Sequence, residues 1–190
     1  MPLKIAVILG STRQNRFGEK PAQWIFEEAK KLKDAEVQLF DLKEANLPFF
    51  DGNSPSMVKD GNYGNEVVNA WAKKVAWADA FVIVTPEYNH GPNAAVKNAL
   101  DVIFAEWNNK SVGFVSYGSV GGARAVEQLR QVAGELMMAD VRAAVHIPGN
   151  ITFGGPDAWK PTEDQSLMRA AQTMLSQVVS WGTALKTLRG

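Results

Sequence analysis

The first seventeen residues combine an apolar run with a polar loop, and a helical pattern follows them. Residues 3–9 read Leu-Lys-Ile-Ala-Val-Ile-Leu, which is rich in β-branched side chains and shows no polar alternation. Such a run is typical of a strand covered on both faces within a parallel sheet. A glycine ends the run, and from Gly18 onward the pattern becomes helical. A strand-loop-helix unit is therefore predicted here.

The loop of this unit, residues 10–17, has the composition of an anion-binding loop. Where a strand turns into a helix, backbone N–H groups and the positive end of the helix dipole lie together. Ser11 and Thr12 would add hydroxyl donors, and Arg13 and Arg16 would add charge and bidentate hydrogen bonds. We expect a dianionic phosphate at this loop. The alternative is a surface loop whose arginines are solvated.

Apolar and amphipathic segments alternate along the remaining chain, which predicts a parallel sheet between layers of helices. Prolines 86 and 92 are expected to end the third strand and to start the next helix. We predict one domain over residues 1–190, an α/β fold with a doubly wound, five-stranded parallel sheet of flavodoxin-like order 2-1-3-4-5. After the first strand, the predicted strands are residues 37–40, 80–85, 111–116 and 141–145, and the helices 19–33, 65–77, 93–104, 123–138 and 163–188.

Three polar or glycine-bearing loops follow the first, third and fourth strands, at residues 10–17, 86–92 and 117–122. In this strand order the three loops line one crevice at the carboxyl edge of the sheet, where ligands bind. Glycines in the last loop would let backbone N–H groups approach a flat ligand closely. We therefore expect a mononucleotide with its phosphate on the first loop and its ring between the other two. Each loop alone is also compatible with an ordinary turn and helix cap.

Motifs for other chemistries are absent or incomplete. No G-x-G-x-x-G follows the first strand, and Ser119 stands where a P-loop would carry lysine. No G-x-S-x-G is present. With no cysteine and two histidines, we expect no disulfide, no thiolate catalysis and no metal site.

The charge composition argues against nucleic-acid and membrane partners. Lys plus Arg and Asp plus Glu both number 20, so there is no basic footprint. The apolar run at 3–9 is too short to cross a bilayer, and no small-residue cleavage site follows it. A cytoplasmic protein is the expectation.

A long loop is predicted over residues 46–64, which contain several prolines and glycines. Loops of this length in a folded domain usually carry function. Its apolar cluster, Leu-Pro-Phe-Phe at 47–50, would either cap a ligand or a partner subunit, or pin the loop to the body of the protein.

The chain carries four motifs: Gly10-Ser11-Thr12-Arg13 with Arg16, Thr85-Pro86-Glu87-Tyr88-Asn89, Val96-Lys97-Asn98-Ala99-Leu100-Asp101, and Ser116-Tyr117-Gly118 with Gly121-Gly122. Together these motifs resemble the NADPH-dependent FMN reductase family, and the resemblance covers residues 1–150. It implies a flavodoxin-like fold that binds FMN, and a homodimer or homotetramer with the flavin near the interface. It also implies reduction of a small acceptor by NADPH or NADH, the acceptor being a flavin, a quinone, an azo compound or a metal oxyanion such as chromate.

The same resemblance implies residue roles. The phosphate would lie on the first loop, and the flavin ring between the other two loops, largely against backbone groups. No side chain is expected to act as nucleophile or proton donor, because flavin N5 carries the hydride. The implied cofactor-binding residues are Ser11, Thr12, Arg13, Arg16, Phe17, Pro86, Glu87, Tyr88, Asn89, Ser116, Tyr117, Gly118, Gly121 and Gly122.

The segment after Asn89 departs from the family. Many relatives carry a link that contains Tyr-Pro-Gly, whereas this chain has His-Gly-Pro-Asn-Ala-Ala at 90–95. His90 is a candidate for contact with the substrate or with a nicotinamide phosphate. The alternative is a helix-capping or surface residue.

Two other functions are compatible with a nucleotide crevice. A flavodoxin-type electron carrier would bind FMN but would depend on protein partners for turnover. Such carriers are usually strongly acidic, and the zero net charge argues against that function. A nucleotide-binding module without flavin is the third possibility.

Overall fold

A mostly parallel β-sheet lies between two layers of helices in the computed structural model, which describes residues 1–58 and 60–189. The strands are β1 (Leu3–Leu9), β2 (Ala35–Asp41), β3 (Ala80–Tyr88), β4 (Gly91–Pro92), β5 (Ser111–Tyr117) and β6 (Ala139–Ile147). The helices are α1 (Glu19–Lys30), α2 (Leu42–Ala45), α3 (Glu66–Trp77), α4 (Ala94–Asp101), α5 (Ala123–Glu135), α6 (Gly149–Thr152) and α7 (Gln165–Lys186).

The strand order confirms the predicted topology. The path is β2-β1-β3-β5-β6, with every neighbouring pair parallel. Once the two-residue β4 is set aside, this path is the flavodoxin-like order 2-1-3-4-5. The carboxyl ends of β1, β3 and β5 therefore lie side by side.

Successive side chains of β1 enter two different cores, as expected of a strand covered on both faces. Ile5, Val7 and Leu9 pack with α1 and α7, whereas Ala6 and Ile8 pack with α3, α4 and α5. All five side chains are buried. Burial on both faces explains why the run carries almost no polar residues.

The third strand is longer than predicted. The expectation that Pro86 ends it is wrong, because β3 continues to Tyr88 and turns back through β4 as a short antiparallel hairpin. The missing N–H of Pro86 removes no bond to β1, whose pairing with β3 stops at Leu9 and Val84. Asn89 and His90 form the turn with φ angles of +47° and +70°.

Helix ends also differ from the prediction. Helices α1, α4 and α5 each stop three residues before the predicted end, and the last helix begins at Gln165, with its bounds inside the predicted 163–188. Among the described residues, no helix is both long enough and apolar enough to cross a membrane.

Candidate functional site

The loops that follow β1, β3 and β5 border one cleft of about 350 Å³. The expected residues that line this cleft are Ser11, Arg13, Arg16, Phe17, Pro86, Glu87, Tyr88, Tyr117 and Gly118. The other expected residues are neighbours of these in the sequence but do not line the cleft: Thr12, Asn89, His90, Ser116, Gly121 and Gly122. Thr12 instead lines a neighbouring cleft together with Lys43 and Phe49.

The first loop presents unpaired backbone donors. Within the described ranges, the N–H groups of residues 11–15 have no hydrogen-bond acceptor. Ser11 is buried, and its Oγ lies 3.4 Å from the Tyr88 hydroxyl. A row of free N–H groups just before α1 is an arrangement that favours an anion.

The two arginines of this loop have different surroundings. Arg13 is exposed, and its guanidinium lies 5.8 Å from the centre of the Tyr88 ring. The Arg16 side chain is only 6% exposed and donates to both carboxylate oxygens of Asp41, to the Ser11 carbonyl and to Glu19. Hydrogen bonding to Asp41 raises the pKa of Arg16. Arg13 is therefore the accessible cation of the loop, and Arg16 shapes the backbone.

An aromatic cluster supports the loop from behind. The Phe17 ring contacts Tyr117 and Trp159 edge-on, with centroids 5.3 and 5.4 Å away, and Trp159 in turn contacts Trp24. A side chain at Gly18 would place its Cβ 2.5 Å from the Tyr117 hydroxyl, so the loop needs glycine there. Burial raises the pKa of Tyr117.

Glu87 joins the β3–β4 hairpin to α5. Its carboxylate accepts hydrogen bonds from Arg124 Nε at 2.6 Å and from the Arg124 backbone N–H at 3.1 Å, at the first turn of the helix. Burial pulls the pKa of Glu87 upward, but the hydrogen bonds and charge of Arg124 outweigh burial and hold the pKa below its usual range. A charged Glu87 thus anchors the hairpin whose edge borders the cleft.

His90 lies at the hairpin turn and points to α5. Its Nε2 accepts a hydrogen bond from Arg124 at 2.8 Å, and its carbonyl accepts one from Gln128 at 2.8 Å. The residue is exposed and precedes α4 without capping it. Contact of His90 with a substrate stays a prediction.

The loop after β5 closes on itself through Ser116 and its glycines. Ser116 Oγ donates to the Gly121 carbonyl at 2.7 Å and lies 2.8 Å from His146 Nδ1. Burial lowers the pKa of His146. Gly122 has a φ of +77°, and a Cβ there would lie 2.6 Å from that of Ser116. Packing within the loop therefore accounts for Ser116 and Gly122. Contact of Ser116, Gly121 and Gly122 with a ligand stays a prediction.

A buried amide that the sequence analysis did not single out connects two of the loops. Asn93 Nδ2 donates to the Gly10 carbonyl at 2.7 Å, and Asn93 Oδ1 lies 3.4 Å from Thr85 Oγ1. Asn93 is 4% exposed. It holds the start of the first loop against the end of β3, and only the tertiary contact identifies it.

The sequence analysis also missed Asn15, Thr152 and Phe153, which line the cleft. The last two lie just after β6, at the carboxyl edge that carries the other three loops. Their position after the fifth predicted strand, at the edge where ligands bind, could have identified them from the sequence.

The long loop at 46–64 contains a short 3-10 turn, Pro55–Met57, and hydrogen bonds to Asn98 hold its first part. Asn98 donates to the Pro48 carbonyl at 2.8 Å and accepts from the Phe50 N–H at 2.9 Å. These contacts support the pinning interpretation for its backbone. The Phe49 side chain nevertheless remains 78% exposed.

Known proteins are similar to this chain over most of its length. The model of the NADPH-dependent FMN reductase family matches residues 3–151. The NAD(P)H-dependent FMN reductase of Schizosaccharomyces pombe is 41% identical over 135 residues, which is 71% of this chain and 68% of that protein. The 2-hydroxy-1,4-benzoquinone reductase of a Burkholderia species is 33% identical over 143 residues, 72% of this chain and 73% of that protein.

A solved structure with a similar fold is the flavoenzyme NAD(P)H:(acceptor) oxidoreductase FerB from Paracoccus denitrificans. Its TM-score is 0.67 at 18% identity, covering 97% of this chain and 98% of that one. At this identity the match supports the fold.

Proposed function

Since the chain belongs to the NADPH-dependent FMN reductase family, we propose that its cleft binds FMN and transfers hydride from NAD(P)H to a small acceptor. Family membership makes the protein an oxidoreductase whose cofactors are FMN and NAD(P)H. The observation that supports this proposal is a single cleft. It is lined by the first loop, with its free N–H groups and the accessible Arg13, and by the β3–β4 hairpin.

The residues at the first loop suit the phosphate of FMN. The N–H groups of residues 11–15 and the Ser11 hydroxyl supply donors, and Arg13 supplies the accessible positive charge. Arg16 would act mainly by holding the Ser11 carbonyl and thereby the loop's shape. Thr12 and Phe17 would complete this end of the site.

The residues at the other end suit a planar ring. Pro86, Glu87, Tyr88 and Gly118 line this end of the cleft. A Cβ at Gly118 would lie 3.3 Å from that of Glu87, so the loops after β3 and β5 pack side by side. Asn89, Ser116, Gly121 and Gly122 would contribute through backbone groups or by shaping the turns. Bound FMN would supply the redox chemistry: NAD(P)H loses a hydride, its two electrons pass to the acceptor, and a proton that the acceptor does not take is released to solvent.

The acceptor would be a small molecule: a flavin, a quinone, an azo compound or a metal oxyanion such as chromate. Quinone is favoured by the relative named as a benzoquinone reductase. An electron carrier without its own NAD(P)H turnover is the runner-up, and the zero net charge argues against it.

The test is turnover without any partner protein. We expect purified protein loaded with FMN to be yellow and to oxidise NADPH or NADH steadily under air, faster with added quinone, as followed by absorbance. A yellow protein that leaves NAD(P)H untouched would support the carrier instead. A protein that cannot take up FMN would contradict both functions.

We also propose that the protein is a homodimer or homotetramer with the flavin near the interface. Large apolar side chains are exposed along one segment, at Phe49, Phe50, Met57 and Val67. Exposed apolar patches favour protein contacts. Phe49 shares its cleft with Thr12, so this surface adjoins the phosphate loop.

The mass measured by sedimentation tests the assembly. We expect the wild type to have the mass of a dimer or tetramer, and Phe49→Asp to shift toward the mass of a single chain. A wild type with the mass of a single chain would contradict it. Cytoplasmic localisation, and the absence of nucleic-acid and membrane partners, stay predictions that cell fractionation and binding assays would check.

A further inference from the structure

Phe153 presents a large aromatic ring to solvent at the rim of the cleft. Phe153 is 71% exposed, yet it lines the same cleft as Arg13, Tyr88 and Gly118. Phe153 lies outside residues 3–151, the stretch matched by the family. None of the motifs that carry the family resemblance includes it.

The backbone that carries this ring is held firmly. The Phe153 N–H donates to the Gly149 carbonyl at 2.8 Å, and the Thr152 hydroxyl donates to the Ile147 and Pro148 carbonyls at 3.2 and 3.1 Å. Gly149 packs on the loop after β5, where an added Cβ would lie 3.1 Å from the Ser119 carbonyl oxygen.

The chain also turns sharply after the ring. A Cβ at Gly154 would lie 2.0 Å from the Asn150 carbonyl oxygen, so only glycine fits this turn. The following segment returns to the site, where Trp159 packs on Phe17 of the first loop. The ring is thus exposed on a backbone that is fixed on both sides, which limits the entropy lost when a ligand binds it.

We propose that Phe153 is a specificity-determining residue that packs against the flat ring of a planar conjugated acceptor, such as a quinone. This inference rests on the proposed function. A phenyl ring offers stacking and apolar contact but no hydrogen bond, so it favours a flat organic acceptor over a hydrated anion. A quinone that gains the hydride's two electrons and proton takes one more proton from solvent and leaves as the hydroquinone.

The experiment compares two acceptors with the FMN-loaded protein: 1,4-naphthoquinone, which is planar, and ferricyanide, which is an octahedral anion. The quantity is the ratio of kcat/KM for naphthoquinone to kcat/KM for ferricyanide. We expect Phe153→Ala to lower this ratio about five- to tenfold, the size of one aromatic contact, and Phe153→Trp to retain it. Trp181→Ala is the control, because Trp181 is exposed on α7 and does not line the cleft.

A binding measurement without turnover accompanies the kinetics. We expect Phe153→Ala to raise the dissociation constant of naphthoquinone from the oxidised, FMN-loaded protein by a similar factor, measured by calorimetry in the absence of NAD(P)H. The dissociation constant of FMN should stay unchanged.

Three results would overturn the inference: equal losses for both acceptors, an unchanged naphthoquinone affinity, or weakened FMN binding, which would assign the ring to the cofactor. A wild type that neither binds FMN nor oxidises NAD(P)H would contradict the proposed function instead.

Discussion

Arg13 and Arg16 are separated by two residues, but their surroundings give them different tasks. Arg16 is enclosed and fully engaged with Asp41, Glu19 and the Ser11 carbonyl. Arg13 lies over the face of Tyr88 and remains open to solvent. A guanidinium can thus bind a ligand only where its donors are not already bonded to other groups of the protein.

Arg13→Ala should raise the dissociation constant of FMN about 10- to 100-fold, because a charge-assisted hydrogen bond to phosphate is lost. Riboflavin has the same ring without the phosphate, so its affinity should not change. Fluorescence titration with both ligands measures the effect. An equal loss for riboflavin would show that Arg13 supports the ring and not the phosphate.

Lys110 is a residue-scale feature away from the cleft. It is 4% exposed and donates to the Val75 carbonyl at 2.9 Å, near the end of α3. Burial, and next the charge of Arg189, lower the pKa of Lys110 to about 7. An unfolded lysine titrates near pH 10.4. Between these values the unfolded state binds more protons, so stability should rise with pH.

Replacement of Lys110 by Met should expose this dependence. The free energy of unfolding of the wild type, relative to Lys110→Met, should increase by about 2 kcal/mol from pH 7 to pH 9. Urea denaturation at several pH values measures it. Lys73→Met is the control, because Lys73 is an exposed lysine on α3, the helix that Lys110 contacts. A difference that does not change with pH would contradict the lowered pKa.

At the scale of elements, the turn between β5 and α5 shows how packing selects glycine. Gly122 combines a φ of +77° with a backbone nitrogen, that of Tyr117, only 2.9 Å from where a Cβ would lie. Gly134, in the last turn of α5, has nothing within 4 Å of its hypothetical Cβ. The same residue type is therefore required at one end of α5 and replaceable at the other.

Gly122→Ala should lower the free energy of unfolding by about 2–4 kcal/mol, because it adds both a clash and backbone strain. Gly134→Ala should raise it by up to about 1 kcal/mol, since alanine is the better helix former. Thermal unfolding of both variants measures the contrast. If Gly122→Ala were as stable as the wild type, the close packing of this turn would be wrong.

At the scale of the whole molecule, Asp79 ties the first strand to the last helix. Its carboxylate accepts from Lys186 at 2.7 Å, from Arg189 at 2.6 Å and from the Lys4 N–H at 3.0 Å. Burial raises the pKa of Asp79, but these donors outweigh burial and lower it overall. Residues at opposite ends of the sequence thus meet at the amino edge of the sheet.

Asp79→Asn should lower the free energy of unfolding by about 2 kcal/mol at pH 7, an amount limited by the partly exposed partners. Because the native pKa is depressed, the contribution is present above the unfolded pKa and is lost as pH falls through the native value. The gap between wild type and variant should therefore narrow below about pH 4.

Asp101→Asn, in an exposed pair with Lys97 on α4, is the control and should cost only a few tenths of a kcal/mol. Chemical denaturation at pH 7 and pH 3 compares the variants. A gap that widens toward low pH would contradict the assignment.

The strand order, and with it the meeting of three loops at one edge, was predicted by likeness to flavodoxin-like folds. The sequence by itself determined the alternation of strands and helices and the polar loops that follow the strands. These follow from local apolar periodicity, which needs no distant contact. The tertiary structure decided what each loop residue is free to do. The Arg16–Asp41 and Asn93–Gly10 contacts span 25 and 83 residues. Strand β3 can continue beyond Pro86 because its pairing with β1 has already ended there. Such contacts depend on which segments meet in space, and a local pattern carries no record of that.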